Sequence, residues 1–164
     1  MVLLGGRLRR NSLYDPGQQN LLLLRGVGAE TRVMNGHFRI EAQDVVVVIH
    51  VYRNQISEAE KKALQQCARV LSKYDIVVIH PQELDISIYK TLIPQMKSMV
   101  FGSQYFGTIK GYNKLLISDS FYQTFSHYKY FLMFHLDAWV FEDALLEWCN
   151  KGYDYIGAPW LEEP

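Results

Sequence analysis

A single carboxylate interrupts a long apolar stretch of this 164-residue chain. Tyr130 to Phe141 reads YFLMFHLDAWVF, and Asp137 is its one acidic residue. A run this apolar and aromatic is the pattern of a strand buried on both faces of a parallel sheet, Tyr130 to Leu136. Asp137 then stands at that strand's carboxyl end. In open α/β sheets ligands lie outside the carboxyl ends of the strands, so a carboxylate there is a candidate for holding a ribose or a metal ion. The other reading of Asp137 is a strand-end cap; the cost of desolvating a buried carboxylate favours the functional one. Cys67 and Cys149 have no Cys/His spacing that suggests zinc, and both read as reduced thiols buried in amphipathic helices.

Lys+Arg and Asp+Glu both number 17. No global field then favours nucleic acid or an anionic membrane, and an anionic ligand must be captured locally. The balance argues against a DNA-binding role. Eight Phe, eleven Tyr and three Trp serve a thick core or stacking on a base or sugar, and composition does not separate the two uses. No apolar run approaches the roughly 18 residues that span a bilayer, and the start lacks a secretory pattern, so a cytoplasmic location is expected.

The elements that must position Asp137 follow from periodicity. Residues 1–43 carry scattered Gly and Arg, a DPG turn at Asp15 to Gly17 and a short Leu tract, with no sustained period; they read as a poorly ordered leader outside the sheet. From residue 44 the character changes. Val45 to Val51 is a β-branched run broken only by His50, a central parallel strand. Ser57 and Glu60 form a capping box for a helix from Glu58 to about Ser72, with Leu64, Cys67, Ala68 and Leu71 on one face. Ile76 to His80 is a second parallel strand, stopped by Pro81. Asp85 caps a short helix through Leu92, and Met99 to Phe101 reads as a third strand. Ile109 to Ile117 and Asp119 to Phe125, the latter capped by Ser118, read as helices leading into the central strand. A helix over Asp143 to Asn150, closed by Gly152, precedes a last strand that starts at Tyr153 and enters a Gly-Pro loop. The alternation predicts an α/β layered domain with a mostly parallel sheet over residues 44–164.

The strings VVVVIHVYRNQIS, GYNKLL, HLDAWVFED and GYDYIGAPW together resemble a bacterial domain family of undefined activity grouped with GT-A-type glycosyltransferases, from about Asp44 to the end. The resemblance implies a Rossmann-like GT-A fold, incomplete at its carboxyl end, that binds a nucleotide-sugar donor across the ends of its first and acidic-motif strands. It implies donor contacts from His50, Val51 and Tyr52 to base or ribose, from Arg53 to phosphate, and from Asn113 to the nucleoside, with Asp137 and Ala138 in the acidic motif. His50 and Tyr52 read equally well as core packing. Asn113 reads also as a helix cap, and Lys114, near a diphosphate by the resemblance, reads better as a solvated side chain.

In metal-dependent GT-A enzymes an Asp-x-Asp pair holds a divalent cation, Mn²⁺ or Mg²⁺, on the departing diphosphate. Here Asp137 is followed by Ala138 and Trp139, so the second carboxylate is missing. Glu142 and Asp143 either substitute for it or form the acidic first turn of the next helix. Family members continue well beyond GAPW, so the acceptor half is expected to be absent. The leading expectation is a glycosyltransferase-like, donor-binding domain with an unknown glycan acceptor. The alternative is a non-catalytic remnant that binds a nucleotide, or a partner through an unfinished sheet edge. A dinucleotide oxidoreductase is disfavoured because no GxGxxG follows the first strand. An Asp-nucleophile phosphatase is disfavoured because no carboxylate sits two residues after Asp137.

Overall fold

The computed structural model describes residues 22–25 and 39–157. Its elements run β1 (Leu22–Arg25), β2 (Val45–His50), α1 (Glu58–Val70), β3 (Asp75–Pro81), α2 (Ser87–Leu92), β4 (Lys97–Phe101), α3 (Ile109–Leu116), α4 (Asp119–Thr124), β5 (Tyr130–Phe134), α5 (Leu145–Asn150) and β6 (Tyr155–Ile156). They build one sheet in the order β4-β3-β2-β5-β1-β6. The four strands β4, β3, β2 and β5 are mutually parallel, with helices on both faces. This is the α/β layered arrangement the alternation predicts, and it is Rossmann-like, as the resemblance implies.

Strand periodicity divides the core in two. Val45, Val47 and Ile49 of β2 face α1, α2 and α5 through Leu64, Cys67, Tyr89, Leu145 and Cys149. Val46 and Val48 face α3, α4 and the segment after them through Leu115, Phe121, Phe125 and Tyr128. All five of these β2 side chains are fully buried, each stabilising the fold by about 1.5–3 kcal/mol. Burial on both faces is why β2 has no polar alternation until His50. The capping box of α1 forms as expected, with Glu60 N donating to Ser57 Oγ and Ser57 N to the Glu60 carboxylate. Asp85 accepts from Ser87 N at 2.9 Å.

Several expectations are corrected. The leader is not wholly outside the sheet: Leu22–Arg25 pairs antiparallel with β5, Leu22 opposite Met133, and also with β6. Ile40 is buried against the α1 face, and Asn150 clamps its backbone by accepting from Ile40 N at 2.7 Å and donating to its carbonyl at 3.2 Å. A weak periodic signal misses such segments because pairing with an existing strand, not propensity, orders them. The rest of 1–38 lies outside the described residues. Ser118 precedes α4 but does not cap it with its side chain; its hydroxyl donates back to Leu115 O at 2.7 Å and accepts from the Ser120 hydroxyl at 3.3 Å. β4 begins two residues earlier than expected, at Lys97, because an edge strand exposes much of its surface and loses its apolar signature. α5 begins at Leu145, and β5 ends at Phe134, where Ala138 N closes a turn onto His135 O at 3.0 Å. The last strand spans Tyr155–Ile156, and residues 158–164 lie outside the described ones.

Candidate functional site

Strand order locates the site. From β2 the chain steps outward through β3 to β4, then returns by α3 and α4 to place β5 on the other side of β2. The two halves therefore part between β2 and β5, and a crevice outside the carboxyl ends of strands is expected at such a switch point. The register there ends on Ile49 opposite Phe134. One step further brings His50 and His135 side by side. Both continue the alternation of Val46, Val48 and of Phe131, Met133, so both rings lie on the α3/α4 face of the sheet.

Tyr112 of α3 joins them. Its ring meets His50 edge-on at 5.1 Å and His135 at 5.4 Å, and its hydroxyl shares a 3.0 Å hydrogen bond with His135 Nε2. Phe106 stacks on His50 at 4.6 Å with planes 13° apart. His50 Nε2 donates to the Tyr105 carbonyl at 3.2 Å, which leaves Nδ1 without the proton when the ring is neutral. Burial drives the His50 pKa down to about 4, opposed by the hydrogen bond to Tyr105. His135 is also lowered by burial, against the pull of Asp137. The cluster is therefore a wall of uncharged rings at neutral pH.

Gly111 lets this wall form. A Cβ there would meet Gln104 O at 2.6 Å and the Tyr105 carbonyl carbon at 3.1 Å, so only glycine lets α3 press against the short 3-10 turn Ser103–Tyr105 that carries the acceptor for His50. Thr108 caps α3 by accepting from Gly111 N at 3.0 Å.

The sequence-predicted residues divide around this wall. Tyr52 is 49% exposed, with its ring 6.2 Å from His50. Val51 is fully buried in the core and its N–H donates to Ile79 O, so its side chain cannot face a ligand. Arg53 is occupied: its guanidinium pairs with Glu60 at 2.5 Å and donates to Gln55 O, and the Glu60 hydrogen bond raises its pKa. Asn113 lies part-buried on α3. Ala138 packs against the core. Asp137 sits exposed in the turn after β5, so the argument from the cost of burying its charge falls away.

Asp143 resolves as a structural residue. Its carboxylate accepts from Tyr74 hydroxyl at 2.8 Å and Leu145 N at 3.3 Å, and pairs with Lys73 at 2.6 Å. Trp139 is 43% exposed, Glu142 is exposed, and Lys114 is solvated on α3. Among the described residues no three His, Cys, Asp or Glu side chains group as a metal would require. Burial raises both Cys67 and Cys149 to about 12, as inert core thiols.

Residues 95–164 match a family described as "Protein of unknown function (DUF5672)". The match begins just before β4, leaving β2, α1 and β3 outside it, and it fits the undefined activity of the resembled family without tying the chain to GT-A enzymes. No curated protein and no solved structure matches the chain. Sequence reasoning missed Tyr112 and His135. Parity held the signal for His135, which breaks an apolar run at the same alternation as His50; Tyr112 carried none, because its neighbours are fixed by how α3 docks.

Proposed function

We propose that this domain binds a nucleotide-sugar donor at the edge where β2 and β5 part, as the donor-binding portion of a glycosyltransferase-like protein with a glycan acceptor. The observation that supports it best is a ring-lined switch point: His50, Phe106, Tyr112 and His135 form one uncharged wall, with the exposed Tyr52 beside it. A neutral aromatic cluster suits a base or a sugar ring, which pack on rings without needing charge. Asp137, exposed in the turn two residues after His135, is the carboxylate this reading assigns to ribose or sugar hydroxyls. The resemblance of HLDAWVFED and GYDYIGAPW to the GT-A-grouped family supplies the reaction class.

The test is Asp137→Asn, which keeps size and most hydrogen-bonding capacity but removes the charge. Losing a charge-assisted hydrogen bond should weaken donor binding by about 1.5–3 kcal/mol, one to two decades in affinity. The melting temperature should stay unchanged, because the side chain is exposed. Calorimetric titration of UDP-, GDP- and CMP-sugars against both forms, with melting curves alongside, decides it. Unchanged affinity removes Asp137 from the site, and no binding of any nucleotide-sugar to the native chain removes the reading.

Edge pairing is a second reading, favoured by β4, the outermost of the described parallel strands. Its Lys97, Ser98 and Val100 are exposed. A partner strand could add there, although a lysine on an edge strand is a common guard against it.

A further inference from the structure

Resting on the nucleotide-sugar reading, we propose that Arg53 is a positioning residue, which acts on the ligand through Tyr52 by holding that ring where the base or sugar packs. Tyr52 is 49% exposed, with its ring 6.2 Å from His50. The backbone on both sides of it is fixed. Val51 is fully buried and its N–H donates to Ile79 O at 3.0 Å. The Arg53 carbonyl accepts from the hydroxyl of Tyr89, a fully buried residue of α2, at 2.5 Å. The remaining freedom lies in the Tyr52 side chain, and the Arg53 guanidinium stands beside it, with Cζ 5.9 Å from the ring centroid.

A run of contacts ties that guanidinium to the start of α1. The capping box orients Glu60, whose Oε2 accepts from Ser57 N at 2.7 Å. Glu60 Oε1 accepts from Arg53 Nη2 at 2.5 Å, and Nη1 lies 3.4 Å from Oε2, so the carboxylate faces both prongs of the fork. Nη1 also donates to Gln55 O at 2.5 Å. Hydrogen bonds to Glu60 first and to the Tyr52 side chain second raise the Arg53 pKa. The fork is thus set by the helix cap before any ligand arrives, and Tyr52 is set by the fork. A ring ordered in advance spares the complex the entropy of ordering it, about two- to tenfold in affinity for one side chain. The Arg53 side chain is 42% exposed, so the ion pair itself contributes little to stability.

NMR titration of the 164-residue chain with uridine, cytidine, guanosine and adenosine and with their 5′-diphosphates tests this. For a base that binds, Arg53→Met should weaken the nucleoside and its diphosphate by the same factor, about two- to tenfold, at an unchanged melting temperature. Arg53→Lys should lose as much, because lysine keeps the charge a phosphate would meet and lacks the planar fork. Glu60→Gln, which retains a capping box and removes the ion pair, should follow them. Added to Tyr52→Ala, Arg53→Met should weaken binding no further, within about twofold. A diphosphate weakened more than about threefold beyond its nucleoside by Arg53→Met, and restored by Arg53→Lys, makes Arg53 a phosphate contact. That result overturns the inference and leaves the nucleotide site standing. So do an unchanged nucleoside affinity, a full further loss on top of Tyr52→Ala, or a diphosphate that binds where its nucleoside does not. Failure of every probe to bind a chain with a native melting curve overturns the nucleotide-sugar reading and the inference with it.

Discussion

His50 is a base held in its neutral form by burial, and its pKa near 4 makes it a stability switch at acid pH. An unfolded histidine takes its proton near pH 6.5, so between these values the unfolded chain binds more protons than the folded one. Stability therefore rises with pH across this window: it is fully present above about pH 6.5 and is lost as pH falls toward 4. The contribution is on the order of 3 kcal/mol, and His135, lowered by the same burial, adds in the same direction. His50→Gln should keep a donor for the Tyr105 carbonyl while abolishing this titration. Melting curves from pH 7.5 down to 4.5 should fall less steeply for the variant. Parallel curves for the two proteins would place the acid sensitivity elsewhere.

Among the elements, α3 is the one whose docking makes the site. Its cap and its length are local properties: Thr108 accepts from Gly111 N, and the helix spans Ile109–Leu116. Its distance from the Ser103–Tyr105 turn depends on Gly111 having no side chain. Gly111→Ala should force the backbone of that turn to move, because a Cβ would lie 2.6 Å from Gln104 O. The cost of such overpacking is about 1–3 kcal/mol, outweighing the roughly 1 kcal/mol that alanine gains in helix propensity. The same shift should withdraw the Tyr105 carbonyl from His50 and change the His50 titration by NMR. A variant as stable as the parent, with an unaltered titration, would show that the turn yields freely.

For the whole molecule, the described residues before 44, Leu22–Arg25 and 39–43, belong to the fold. Removing residues 1–43 takes away β1, which lies between β5 and β6, together with buried Ile40 and its two hydrogen bonds to Asn150. Burial of the isoleucine alone contributes about 1.5–3 kcal/mol, so the shortened chain should melt several degrees lower, at roughly 2–4 °C per kcal/mol for a chain this size. An unchanged midpoint would return these residues to the role of a leader. What the sequence determined by itself was local or periodic: the doubly buried β2 and β5, the capped α1, the alternation that makes an α/β layered domain, and Asp137 just past a central strand. Such features are legible because each is written in neighbouring residues, as propensity, parity or a cap. Only the tertiary structure decided the rest. It brought His50, Tyr112 and His135 together from segments 62 and 23 residues apart (112 − 50 and 135 − 112). It tied Arg53 to Glu60 and Asp143 to Tyr74 and Lys73, and it drew Leu22–Arg25 into the sheet. Those are outcomes of register and docking, which depend on what each side chain meets across the fold and not on its neighbours in sequence.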